Sequence, residues 1–329
     1  MAIVGTRRVR VNRHLDELAA PPGSTAGGRP LTTEGGIQNN HANITAEAKE
    51  LNVTTKWVPD RQQLPYPHVV ESSIDGCIGL IEMTEPERLN PQGLNEIHIT
   101  YCLQEMQIDP EIRAVILTGR GRAFCAGGDI RPPNPGRGMD DQGWPDAQRL
   151  AYKFAYGNMW ETLHNFPKPI IAAVNGYCIG GGWELAHMCD MIVASDDAVF
   201  GAAEIDNGLI PQATGCEYLT KMVGYHRAME LTLTGRKIGA EEALGLGLVN
   251  RVVPRDQLMN EARALADEIA SRPPITVAAI RQLNKKALNR MEHYELERAW
   301  GYYLRTTKDQ HAAREALVHK QPRPTFQAE

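Results

Sequence analysis

The chain has 329 residues, with 35 lysines and arginines against 40 acidic residues, a formal net charge of −5 and a pI near 6.1. That balance argues against a nucleic-acid binder held by counterion release, and no apolar run approaches the roughly 20 residues that span a bilayer. A hydrophobic fraction of 42% and a charged fraction of 23% are those of a globular, enzyme-sized protein.

Residues 1–67 are rich in Gly, Pro, Asn, Thr and charge and read as a poorly ordered or wrapped extension. Its opening "MAIVGTRRVRVNRHLDEL" carries four arginines without an apolar signal core. Asp16 and Glu17 make a solvated arm the better reading than a transit peptide. From there "CIGLIEM" (77–83) predicts a strand, "LNEIHITYCLQEMQ" (94–107) a helix, and "RAVILTG" (113–119) a second strand. A helix over 149–166 comes next, then short buried strands at 170–176 and 190–195. Strands alternating with helices imply an α/β core with parallel pairing over 68–255. Strand signals fade after about residue 225, and 256–329 reads as a helical C-terminal region. The Pro- and Gly-rich stretch 130–148 breaks all periodicity and reads as a functional lid, with an inert insertion as the alternative.

Six cysteines (Cys77, Cys102, Cys125, Cys178, Cys189, Cys216) are scattered without a C-x-x-C pair. This suits reduced thiols in a cytoplasmic protein and predicts no metal site. Two strand exits carry glycines, "AFCAGGDI" (123–130) and "GYCIGGGWEL" (176–185), and neither is a phosphate cradle. Such exits can present backbone N–H groups to a developing oxyanion, the second with help from a helix dipole. Close helix–strand packing explains the same glycines equally well.

Three stretches, "AFCAGGDI", "PKPIIAAVNGYCIGGGWELAHMCD" and "FGAAEIDNGLIP", together resemble the enoyl-CoA hydratase/isomerase (crotonase) superfamily over roughly residues 68–326. The resemblance implies a crotonase-like spiral of ββα repeats with a helical C-terminal trimerisation region. It also implies assembly as a homotrimer or a hexamer (dimer of trimers). No cofactor is implied, since coenzyme A is part of the substrate, and neither a nucleic-acid nor a membrane partner is expected.

Carried over by position, the resemblance sets the thioester oxygen between the N–H groups of Ala126 and Gly181. Coenzyme A would lie across Arg88 and Leu89 and along Ala126, Gly127, Gly128, Asp129 and Ile130, with Gly180 at the substrate. Trp183 departs from the pattern, filling a usually small position beside the oxyanion glycines, and is expected to narrow or reorient the substrate site. Glu184 and Glu204 match the two glutamates of the hydratases. Water addition to a 2,3-double bond needs one carboxylate to take a proton from water and one carboxyl to protonate C2, and these roles fall to Glu184 and Glu204. Gln212 stands near where dienoyl-CoA isomerases carry an acid, which weakens the isomerase reading. Isomerase or C–C hydrolase chemistry and a non-catalytic CoA-binding scaffold are the alternatives.

Other residues take plainer readings. His187 reads as a packed core histidine, Cys125 and Cys178 as non-nucleophilic, and Asp206 as a turn or interface residue. Thr214 and Glu217 fit a T-x-x-E capping box, and Lys285 and Lys286 a solvated helix face. Trp144 and Trp160 hint at a shaped pocket.

Overall fold

The computed structural model describes residues 69–130, 158–288, 291 and 293–326. The arm at the N-terminus and the stretch 130–148, beyond Ile130, lie outside them, as does the first half of the helix expected at 149–166.

The larger sheet has six strands in the order β1 (Val70–Asp75), β2 (Ile78–Met83), β3 (Ala114–Gly119), β5 (Ile170–Val174), β7 (Met191–Ser195) and β10 (Arg251–Val253). The β1–β2 hairpin is antiparallel, and every other neighbouring pair in this sheet is parallel. β3 and β5 are buried at every residue, which is why they read as continuous aliphatic runs rather than alternating ones.

The smaller sheet is built from the segments that come directly after β3, β5 and β7. The chain leaves the large sheet each time and adds a three-residue strand to a second one: β4 (Ala123–Cys125), β6 (Tyr177–Ile179) and β8 (Val199–Gly201), closed by β9 (Ile238–Gly239). β4, β6 and β8 run parallel, and β9 returns antiparallel to β8. This repeated step from sheet to sheet is the crotonase spiral. The small strands are too short to carry a period, so sequence patterning does not reveal them.

Ten helices are described: α1 (Leu94–Ile108), α2 (Met159–Asn165), α3 (Gly181–Met188), α4 (Gly215–Val223), α5 (Tyr225–Thr234), α6 (Ala240–Gly245), α7 (Leu258–Ala270), α8 (Pro274–Ala287), α9 (Tyr294–Leu304) and α10 (Lys308–Val318). α7 covers one face of the large sheet: Leu258, Ala262, Leu265 and Ala266 pack on Ile78, Ile116, Ile171 and Val193. Core packing thus continues past residue 255 into the C-terminal helices.

α8 holds the end of α2. Arg281 donates to the carbonyls of Leu163 and Phe166 and to Asp190 Oδ2, while Lys285 Nζ donates to the carbonyls of Leu163 and His164 at 3.1 and 3.0 Å. Lys285 is therefore buried, contrary to the solvated face expected of it, whereas Lys286 is exposed. Orphan carbonyls at a helix C-terminus attract cations, and this partner lies 121 residues away in sequence.

Candidate active site

A cavity of about 880 Å³ opens between the two glycine-bearing strand exits. Its floor is the β6–α3 junction, where each glycine of the triplet does different work. Gly180 turns the chain at φ 57°, and a side chain there would meet Glu204 Oε1. Gly181 lies against the Gln92 amide, and Gly182 is pressed onto the Cys125 carbonyl, with which any Cβ would collide. Close packing thus accounts for Gly182. Gly181, at the first turn of α3, lines the cavity, and its N–H has no acceptor among the described residues.

The other exit departs from expectation. The Ala126 N–H donates to the Leu89 carbonyl at 3.0 Å, and the Gly127 N–H faces Cys125 Sγ at 3.4 Å. Ala126 lines the cavity, but its amide is taken up in holding the strand exit to the Leu89 turn. The Gly128 N–H has no acceptor among the described residues, and the residue is exposed at the cavity with open space around its Cα. The Leu89 turn is a left-handed cap (φ 65°) to a short 3-10 turn, Pro86–Arg88, and Asn90 fixes it by donating to the carbonyls of Arg120 and Ala123. Arg88 pairs with Asp129. Arg88, Leu89, Gly127, Gly128, Asp129, Ile130 and Gly180 all line the cavity.

Glu184 and Gly181 are three residues apart on α3 and so share its cavity face. Trp183 lies about 200° around the helix from Gly181. It is fully buried against His187 and Phe200, with ring centroids 5.0 and 6.3 Å away, and is absent from the cavity wall. The expectation that Trp183 shapes the acyl site is therefore corrected: it is a core residue. His187 is packed as expected, stacked on Tyr218 at 4.3 Å.

Both glutamates lie at the cavity. Glu184 Oε1 accepts the Ala213 N–H at 2.6 Å, whereas neither oxygen of Glu204 has a partner among the described residues. Burial pushes both carboxyls upward, Glu204 to about 7, and the proximity of the two adds to the rise at Glu184. Amide hydrogen bonding stabilises the ionised form. The amide thus opposes the rise at Glu184 without reversing it, and two raised, neighbouring carboxyls hold one proton between them more readily than two charges. Cys125 is buried and its thiol is pushed up to about 12 by desolvation, which removes it as a thiolate.

Several contributors lay beyond sequence reasoning. The Gln92 Nε2 is buried at the cavity without a partner among the described residues. Glu297, on α9, accepts the amides of Thr214 and Glu217 at 2.6 and 3.1 Å. That replaces the expected capping box: Thr214 is left-handed (φ 71°) and its side chain caps nothing. Asp206 accepts from Arg323 at 2.9 Å, and Trp160 reaches the cavity wall while Trp144 lies outside the described residues.

Residues 73–326 match the family model described as enoyl-CoA hydratase/isomerase. A probable mitochondrial enoyl-CoA hydratase of Dictyostelium discoideum is 38% identical over 258 residues, covering 76% of this chain and 88% of that protein. A probable enoyl-CoA hydratase of Mycobacterium bovis is 39% identical over 255 residues, covering 75% and 93%. Among solved structures, a carnitinyl-CoA hydratase from Mycobacterium avium superposes with a TM-score of 0.70 at 30% identity, covering 80% of this chain and 100% of that one. The strand exits, the paired glutamates and these matches agree, and the chain belongs to the enoyl-CoA hydratase/isomerase family.

Proposed function

We propose that this protein hydrates a 2-enoyl-CoA thioester to the 3-hydroxyacyl-CoA, with Glu184 and Glu204 as its acid/base pair. The observation that carries this reading is a pair of buried carboxyls on one cavity in unequal surroundings: Glu184 accepts the Ala213 amide, and neither oxygen of Glu204 has a partner among the described residues. Glu184 takes a proton from water as oxygen adds to C3, and Glu204 delivers its proton to C2. The thioester oxygen gathers enolate charge meanwhile, and the N–H groups of Gly128 and Gly181 are the donors available to it. Proton transfer and amide donors balance every charge in this addition, so no metal or redox group is called upon.

Coenzyme A is assigned to the wall made by Arg88, Leu89 and the Gly127–Ile130 loop. A homotrimer or hexamer is supported by apolar residues exposed on α8 and α9, among them Ile275, Leu283 and Trp300 at 85%, 65% and 52%. A cytoplasmic location rests on the scattered thiols; relatives from Dictyostelium and Pongo abelii are mitochondrial by name, and cell fractionation decides between the compartments.

The test is loss of the 2-enoyl thioester absorbance across short, long and aromatic acyl chains, in wild type and in Glu184→Gln and Glu204→Gln. No hydration of any ester overturns the activity; hydration that survives both substitutions overturns the residue roles.

A further inference from the structure

One wall of the cavity comes from α9 and carries a charge that the hydration chemistry does not use. Arg298, Tyr302 and Arg305 recur at i, i+4 and i+7, which lines them along one helix face, and all three reach the cavity. The Tyr302 ring lies between the two guanidinium groups, 5.4 Å from one and 6.0 Å from the other.

Both arginines are fixed, among the described residues only by neutral oxygens. Arg298 donates to the Tyr294 and Tyr302 hydroxyls at 2.9 and 2.5 Å. Arg305 donates to Gln212 Oε1 at 2.8 Å. Among the described residues, no carboxylate lies within ion-pair distance of either. Each guanidinium has five donors, more than these oxygens take up, and among the described residues the positive charge of both is uncompensated. Of the remaining arginines at the cavity, Arg88 is paired with Asp129, and Arg122 lies over the Tyr177 ring, with no second guanidinium among the described residues sharing that ring.

We infer that the α9 wall is a subsite for an anion at the far end of the acyl chain, so that the preferred substrate is a 2-enoyl-CoA bearing a distal carboxylate. The position argues for the acyl group rather than the phosphates of coenzyme A. Arg305 is held by Gln212, the residue before Ala213, whose amide holds Glu184; the arginines thus approach from the Glu184 side and not from the Arg88 turn. Charge-assisted, bidentate contact with a carboxylate is what a preorganised guanidinium offers best. This inference rests on the hydratase reading for the place of the acyl chain.

The experiment is calorimetric binding of saturated thioesters, which needs no turnover: alkanoyl-CoA against the matching ω-carboxyalkanoyl-CoA, from four to eight acyl carbons. Free coenzyme A is the third ligand, and wild type is compared with Arg298→Met and Arg305→Met, each checked for folding by its melting curve. The expected result is tighter binding of the ω-carboxy ester by tenfold or more at one length or several, with that ratio reduced tenfold in either variant and the affinity for free coenzyme A held. A ratio of one or less at every length overturns the subsite. So does an equal loss of affinity for all three ligands, which would assign the arginines to coenzyme A or to the fold. Failure of the hydration assay with the carboxylate preference intact would instead strike the activity reading and leave the subsite standing.

Discussion

Glu297 Oε2 accepts the Thr214 amide at 2.6 Å across 83 residues of sequence. Its other oxygen takes the Glu217 amide at 3.1 Å, so a carboxylate from α9 caps the open end of α4. The residue before Thr214 is Ala213, the amide that holds Glu184. The cap therefore braces the turn that holds the Glu184 carboxyl, which it does not itself touch.

Replacing Glu297 by Ala leaves two buried amides unpaired. A cost of about 1–2 kcal/mol is expected, the usual worth of a lost N-cap, read as a lowered urea midpoint. Glu297→Gln recovers only part of it, because its NH2 group faces an amide that also donates. Equal stability of all three proteins would show the cap to be unimportant.

The glutamate pair sets a pH signature. Glu204 sits at about 7 in the fold against an ordinary value near 4.5, so the native state binds more protons than the unfolded chain between those limits. Stability contributed at low pH is thus lost as pH rises through the interval, and is constant above it. Relative to Glu204→Gln, wild type is expected to lose up to ~3 kcal/mol between pH 4.5 and 7.5. The rate of hydration should fall above pH 7 as the C2 proton is lost. A stability difference independent of pH would remove the protonated Glu204.

Glu184→Gln and Glu204→Gln should each lower kcat by about 10²–10⁴ with little change in KM, the range for loss of a general acid or base. A rise in KM with kcat intact would mean that they bind substrate without moving protons.

Gly128 distinguishes amide from side chain. Gly128→Ala meets nothing within 4 Å and keeps the N–H, so activity should persist. Gly128→Pro removes the donor and should cost about 10²–10³ in kcat, with affinity for free coenzyme A as the control on loop integrity. Comparable rates in the two variants would rule out Gly128 as an oxyanion donor.

Trp183→Phe is expected to lower stability by about 1–3 kcal/mol through the space it opens in the core, without altering preference among acyl chains. A changed chain-length profile would return Trp183 to the acyl site.

The large sheet was legible in the sequence because parallel, doubly buried strands such as β3 and β5 must be runs of aliphatic residues. Gly180–Gly182 and Glu184 were legible because a backbone pressed onto another carbonyl tolerates only glycine, and helical spacing then sets Glu184 on the face of Gly181. The small sheet was hidden by strands three residues long. Trp183 was misplaced because chain neighbours on a helix do not share a face. Ala126 was misassigned because the direction of an N–H depends on which turn packs beside it, here that of Leu89. Glu297, Lys285 and Arg305 act on segments 83, 121 and 93 residues away, and no local pattern announces such a partner.

The Glu297 cap also bears on when the protein becomes active. A chain emerging from the ribosome carries both strand exits, Glu184 and Glu204 long before α9 begins at Tyr294. Until that helix docks, the amides of Thr214 and Glu217, next to the turn that holds Glu184, lack their carboxylate cap. The last helices of the chain thus brace a segment laid down about eighty residues earlier, and a chain cut short before α9 would carry both glutamates without that brace.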